Sequence, residues 1–219
     1  MDGKEFVASL QAEMAELFSR LGETETLEAE SGGDVSVVTL LKLALTSELE
    51  ASEIAALWMP TTPEIDAKLA LAHQCGDEMK HYHLIERRLR ELGEDLAGFD
   101  PLAGGYSALY QYLRPLRSTV ERIAAGPFAS EAIARVRNAQ FIAFCRSAGD
   151  EGTARLYEEV IQPEEVHHHE LAAGVLATHC TTAERQDAAA AAMRNTLAIA
   201  DELRTLAEKS TGLTNIPVS

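Results

Sequence analysis

Apolar residues recur at three- and four-residue intervals along most of this 219-residue chain, and this periodicity restricts its fold more than any other feature. In residues 35–59, for example, apolar side chains stand at positions 37, 41, 44, 51, 55 and 58. An α-helix places such positions on one face, whereas a half-buried strand needs strict alternation. Alternating segments are almost absent, and we therefore predict an all-α fold.

Glycine and proline divide the periodic pattern into predicted helices over residues 3–21, 35–59, 63–93, 106–148, 152–180 and 182–210. Within the fourth of these, Gly126-Pro127 predicts a break or a kink. The connection "GEDLAGFDPLAGG" is long enough to cross a bundle.

We expect three parts in this chain. They are an N-terminal helix and loop in residues 1–34, a four-helix bundle with a long crossover in residues 35–180, and a C-terminal helix and tail in residues 181–219.

The formal net charge is −16, which argues against a nucleic-acid binder or an anionic-membrane binder because the electrostatic term would be repulsive. The cysteines are three, far apart and without a CxxC pair, as in proteins of a reducing compartment. No stretch of about 18 apolar residues predicts a transmembrane span. We expect a cytoplasmic protein.

Two predicted helices carry a Glu-x-x-His pair on the stripe that faces the bundle interior. Residues three apart share a helical face, so such a pair directs a carboxylate and an imidazole at one point. Glu78 and His81 lie on the stripe of Leu71 and Ile85. A buried carboxylate is costly unless it is paired or binds a metal.

In the second of these helices, "PEEVHHHE" offers two overlapping pairs. Regular helical spacing from Tyr157 selects Glu164 and His167, and directs Glu165 and His168 about one-third of a turn away. On this register, alanine at Glu165 or at His169 is expected to have little effect on metal loading.

Each of the other two bundle helices supplies one inward acid. Glu48 falls on the apolar stripe of its helix, and Glu131 precedes Asn138 and Phe141 on another; Glu121 is the alternative to Glu131. The candidate metal-binding and catalytic residues are therefore Glu48, Glu78, His81, Glu131, Glu164 and His167. This carboxylate-rich set of nitrogen and oxygen donors points to iron or manganese rather than zinc or calcium.

The order Glu…Glu-x-x-His…Glu…Glu-x-x-His resembles the ferritin-like di-iron carboxylate superfamily over roughly residues 35–180. "DEMKH" resembles its oxygenase and radical-reductase branches, and "DEGTARLYEEVIQPEEVHHHE" is similar to the di-iron tRNA hydroxylases and to uncharacterised ferritin-like proteins. Two departures stand out. Those oxygenases commonly have an Asp before both metal-binding glutamates, where this chain has Asp77 and Pro163, and the tRNA-hydroxylase pattern puts a glutamate near Arg135.

The resemblance implies two iron ions, or a manganese or mixed manganese–iron pair, that activate O2 to hydroxylate or oxidise a small organic substrate. An external electron donor is then required, and a homodimer is compatible with the chain. The alternative is a ferritin-like iron store or ferroxidase, and a third hypothesis is a bundle subunit that supports a catalytic partner.

Overall fold

The structure is a computed structural model that describes residues 1–22 and 36–211, with backbone only for residues 17, 19–22 and 203–211. The predicted loop after residue 22 and the tail after residue 211 lie outside the described residues. Regular structure in the described part is helical throughout and contains no strand. The all-α prediction is confirmed.

The described helices are α1 (Gly3–Gly22), α2 (Val37–Trp58), α3 (Ile65–Glu91), α4 (Ala108–Leu113), α5 (Thr119–Ile123), α6 (Glu131–Ser147), α7 (Glu151–Leu156), α8 (Gln162–His179) and α9 (Ala183–Thr211). A 3-10 turn, Met59–Thr61, follows α2. π-Helical turns join α5 to α6 (Ala124–Ser130) and α7 to α8 (Tyr157–Ile161). Each of these pairs is therefore one continuous rod.

Four rods form the bundle: α2, α3, α5–α6 and α7–α8. Helix α2 packs along α3, α6 packs on α8, and α3 also contacts α8. Helix α9 packs on α5 and on the π-turn that follows it, while α1 packs on α8. The two terminal helices thus contact the third and fourth rods, and α4 lies in the connection between the second rod and the third.

The predicted break at Gly126-Pro127 is a π-helical turn, through which the rod continues. Proline has no N–H to donate within a helix, and Ser130 Oγ and Thr196 Oγ1 donate to the Ala125 carbonyl at 3.1 and 3.0 Å. A Cβ at Gly126 would stand 2.8 Å from Trp58 Cζ3, so glycine lets the indole pack against this turn. The predicted helix over 106–148 is instead interrupted at residues 114–118, before α5.

Two buried apolar clusters fill the bundle, one toward each end. One contains Trp58, Leu71, Phe128 and Leu176, and the other contains Leu45, Ile85, Phe141 and Ile161. Along each rod, the residues of one cluster are separated from those of the other by buried polar side chains. The fold therefore places a polar layer in the middle of an apolar core.

Candidate metal centre

The polar layer consists of four carboxylates and two imidazoles, each no more than 2% exposed: Glu48, Glu78, His81, Glu131, Glu165 and His168. They come from all four rods. Charged side chains are almost never fully buried without a partner or an ion. Their concentration between two apolar clusters therefore marks a site.

These six residues form two overlapping groups whose ligand atoms lie within 4.8 Å of one another. The first group is Glu48, Glu78, His81 and Glu165, and the second is Glu78, Glu131, Glu165 and His168. Glu78 and Glu165 belong to both. The arrangement offers two neighbouring cation positions. Each has one histidine and one glutamate of its own, and the carboxylates of Glu78 and Glu165 are common to both.

His81 faces the layer with one ring nitrogen and an outer carboxylate with the other. Its Nδ1 lies 3.1 Å from Glu78 Oε2 and 3.3 Å from Glu48 Oε2. Its Nε2 lies 2.9 Å from Glu164 Oε2. A histidine that coordinates through Nδ1 keeps its proton on Nε2, where Glu164 accepts it.

His168 repeats this arrangement from the other half of the bundle. Its Nδ1 lies 3.4 Å from Glu78 Oε1, and its Nε2 lies 3.1 Å from Asp77 Oδ2. Asp77 directly precedes Glu78, just as Glu164 directly precedes Glu165, so each outer acid holds the histidine of the opposite helix. Lys80 Nζ contacts both outer acids, Glu164 and, at 3.4 Å, Asp77.

Several atoms that face the layer have no hydrogen bond of good geometry, and their nearest charged partners lie at 3.3 Å or more: Glu48 Oε2, Glu78 Oε1, Glu131 Oε2, both Glu165 oxygens and His168 Nδ1. Buried acceptors without a donor are costly, and few occur in a native protein. Lone pairs converging from four rods are what a cation requires. The residues therefore fit metal ions, and nitrogen–oxygen donors of this kind suit iron or manganese.

The pKa values of the layer also show that its buried charges are poorly compensated. Burial raises the pKa of Glu48 to about 8 and raises that of Glu165 well above its ordinary value. Burial alone would lower the pKa of His81, but hydrogen bonding and the charge of Glu48 raise it to about 11. Without a cation, the negative charge of the buried carboxylates is reduced only by protons held on these groups. Metal binding would release those protons, since ligands must be deprotonated.

Glu78 is the member of the layer that stays ionised. Burial would raise its pKa, but hydrogen bonding with His168 and then His81 holds it well below its ordinary value. Burial would likewise lower the pKa of His168, yet hydrogen bonding with Glu78 raises it to about 9. The shared carboxylate is thus the electrostatic centre of the site.

The predicted placement of Glu48, Glu78, His81 and Glu131 in the layer agrees with the structure, but the prediction in the last bundle helix is wrong. Glu164 lies outside the layer with a side chain 28% exposed, and His167 is exposed. Glu165 and His168 take their places. The buried positions run Tyr157, Ile161, Glu165, His168 and Ala172.

The physical reason is the π-turn at Tyr157–Ile161. The N–H of Gln162 donates to the Tyr157 carbonyl, five residues back, whereas an α-helix would use the residue four back. This wider turn holds one extra residue, so each inward position after it falls one residue later in the sequence: Glu165 instead of Glu164, and His168 instead of His167. A uniform helical period starting from Tyr157 therefore selects the wrong pair.

The same shift removes one departure from the family pattern. Pro163 is not the residue before the buried glutamate; Glu164 is, and it contacts the other helix's histidine as Asp77 does. Pro163 is the second residue of α8 and lies directly after the π-turn, where the regular α-helical hydrogen-bond pattern is already interrupted.

Glu131, rather than Glu121, is the acid that the third rod contributes. Glu121 forms a capping box with Ser118 at the start of α5. Sequence reasoning missed Gln74, whose Nε2 donates to Glu131 Oε1. Gln74 precedes Glu78 by four residues on the same helical face, and this spacing could have identified it.

Comparison of the chain with protein-family models, with curated proteins and with solved structures finds no significant match. None of the described helices is long and apolar enough to cross a bilayer. The functional argument therefore rests on the residues of the polar layer and on their geometry.

Proposed function

We propose that this chain is a ferritin-like di-iron carboxylate protein that activates O2 and oxidises a small organic substrate. The observation that carries the proposal is the pair of overlapping donor groups with shared carboxylates. A single cation would leave several of these buried oxygens unpaired. Two cations use all six residues, and the pattern matches the di-iron bundle motif.

Each residue then has a distinct role. Glu48 and His81 would hold one ion, Glu131 and His168 would hold the other, and Glu78 and Glu165, which belong to both groups, would serve both. A di-iron pair held there would supply electrons to O2 and would be reduced again by an external donor. Manganese fits the same donors, so a manganese or mixed pair is the variant to be distinguished by elemental analysis.

The rest of the chain orients the ligands and excludes water. Asp77 and Glu164 fix the rings of His168 and His81 by accepting from their outer nitrogens. Gln74 fixes one oxygen of Glu131 and leaves the other facing the layer. The apolar clusters on both sides keep bulk water away, which strengthens electrostatic interactions within the layer.

The test is anaerobic titration of the metal-free protein with Fe²⁺, followed by admission of O2. We expect saturation near two ions per chain, and oxygen uptake that depends on an added reductant and does not increase with excess iron. Uptake of many irons per chain would instead support the storage function. A chain that binds neither Fe²⁺ nor Mn²⁺ would contradict the proposal and leave only a supporting role in a larger complex.

A further inference from the structure

A cleft of about 620 Å³ lies beside the polar layer, lined by residues of α1, α6 and α8. This volume lies within the range of sites that bind small organic molecules. Met14, Phe18 and Val136 give the cleft apolar walls, while Arg135, Gln140 and Gln162 contribute polar groups. The lining is therefore amphipathic, and its polar groups indicate which ligands it can bind.

Arg135 is the charged group of the cleft. It is partly buried, and its guanidinium forms no ion pair with another described residue. Most other arginines near the surface of this protein pair with an acid, as Arg194 does with Glu13 at 2.6 Å. A protein with a net charge of −16 has many acids available. A guanidinium that lines a cleft and has no ion pair among the described residues therefore indicates an anionic ligand.

The side-chain amide of Gln162 indicates a second property of the ligand, a hydrogen-bond donor. Its Nε2 donates to the Arg135 carbonyl at 2.9 Å, which identifies the other amide atom as the oxygen. That Oε1 is buried and has no donor, and the Oε1 of Gln140 is in the same condition. Both residues line the cleft. Each oxygen has almost no accessible surface, so a ligand hydroxyl or amine would reach it after a rotation of the amide, and would then satisfy an acceptor that the protein leaves unpaired.

The cleft adjoins the proposed metal ligands. Two lining residues, Ala132 and His169, directly follow Glu131 and His168 in the chain. Consecutive Cα atoms are about 3.8 Å apart. His169 Nδ1 donates to the Phe128 carbonyl at 2.8 Å and its ring stacks on Phe128, so this wall is held rigidly.

From these contacts we infer that the cleft is the substrate site: it binds an organic anion with an apolar body and a hydrogen-bond donor, held by Arg135 and Gln162. The inference that the ligand is a substrate rests on the proposed function. The binding chemistry is independent of it, because the cleft contains none of the six metal-binding residues.

The first experiment measures binding to the metal-free protein by calorimetry, with 3-hydroxydecanoate, its uncharged methyl ester, and decanoate as probes. We expect the hydroxy acid to bind roughly tenfold or more tightly than the ester, since only the acid forms a charge-assisted hydrogen bond with Arg135. Decanoate, which lacks the hydroxyl donor, should bind more weakly than the hydroxy acid. Equal affinity for acid and ester would overturn the inference.

Two variants and a control locate the binding. Arg135→Gln should remove the preference for the acid over the ester, and Ala139→Trp should fill the cleft and prevent binding of either probe. Arg114→Gln, at an exposed arginine outside the cleft, should bind like the wild type. Circular dichroism confirms that the variants are folded. Unchanged binding by Arg135→Gln would also overturn the inference.

The second experiment separates the substrate claim from the metal proposal. With Mn²⁺ loaded, bound 3-hydroxydecanoate should show paramagnetic broadening of its proton signals, because the cleft adjoins the ligands. A probe that binds but is not broadened would refute the substrate role. If the chain takes up no Mn²⁺ or Fe²⁺, the proposed function fails, while the first experiment still decides the chemistry of the cleft.

Discussion

At the scale of single residues, the candidate site depends on which of two neighbouring Glu-x-x-His pairs faces inward. The sequence "PEEVHHHE" contains both pairs, and they differ by a single position. In the structure, Glu165 is fully buried while His167 is exposed. The two pairs therefore lie in different environments, and substitution can distinguish their roles.

We predict that Glu165→Ala and His168→Ala each reduce iron loading from two ions per chain to one or none. Each substitution would remove a proposed ligand, and Glu165 belongs to both candidate groups. His167→Ala is the matched control, because its ring is exposed and lies edge-on to His73 at 6.2 Å between centroids. Loading is measured by elemental analysis after gel filtration. An equal loss of iron in the His167→Ala control would instead favour Glu164 and His167 as the inward pair.

The outer acids should have a smaller effect than the ligands. Asp77→Asn and Glu164→Gln keep the shape of the side chain but weaken acceptance of the histidine proton, and we predict a loss of roughly 10–100-fold in metal affinity. Competition with a chromophoric chelator measures this loss. Glu170→Gln, at an exposed position of the same helix, should have no effect. Unaltered affinity in both outer-acid variants would mean that the histidines are oriented by packing alone.

At the scale of elements, the two π-turns determine which side chains the third and fourth rods present to the layer. Each turn immediately precedes a helix that contributes to the site: Ala124–Ser130 ends one residue before Glu131, and Tyr157–Ile161 ends four residues before Glu165. π-Turns inside α-helices are uncommon and occur frequently at functional sites. Here each turn changes which residues of its rod face the bundle interior, at the point where the rod passes from an apolar cluster to the polar layer.

Deletion of the exposed Glu158 tests this role. Removing one residue from the wide turn should convert it to an α-helical turn and place Glu165 seven residues after Tyr157, the spacing at which a regular α-helix directs a side chain to the same face. We predict a helical protein, judged by circular dichroism, that still binds two ions per chain. Glu158→Ala, which keeps the chain length, is the control and should also load normally. Loss of loading in the deletion variant alone would show that the wide turn does not hold the extra residue.

At the scale of the whole molecule, the bundle contains two apolar clusters separated by a layer that is unfavourable without cations. Replacing buried polar networks with groups that carry no charge is often neutral or stabilising. The layer therefore lowers the stability of the metal-free protein, and metal binding should reverse this effect. The free energy of unfolding then depends on metal concentration, because the unfolded chain has no preformed site.

We predict that Mn²⁺ at about 100 times its dissociation constant stabilises the wild type by roughly 2.7 kcal/mol for each independent site. Glu165→Gln should be at least as stable as the wild type without metal, since the buried acid is already held protonated. The same variant should gain little on adding Mn²⁺. Urea unfolding with and without a chelator measures both effects. A metal-free variant far less stable than the wild type would indicate that Glu165 is a structural residue.

The sequence alone determined most helical segments and most of the buried polar side chains. Apolar periodicity is a local property, so five of the six predicted segments correspond to described helices or rods, while the segment over 106–148 is interrupted at residues 114–118. Inward acids on regular stretches, such as Glu48 and Glu78, were predicted to be buried and are buried. Capping chemistry is also local, and "STVE" at residues 118–121 could have assigned Glu121 to a helix start.

Only the tertiary structure decided the phase of the last bundle rod. When one turn of a helix holds one residue more, every later side chain points about 100° away from its direction in a uniform α-helix of the same sequence. Packing of Tyr157 and Ile161 in one cluster and Ala172 in the other fixes which phase is adopted. The cleft beside the layer likewise depends on how α1 docks against α8, a contact between segments more than 140 residues apart. Long-range packing of this kind leaves no periodic pattern in the sequence.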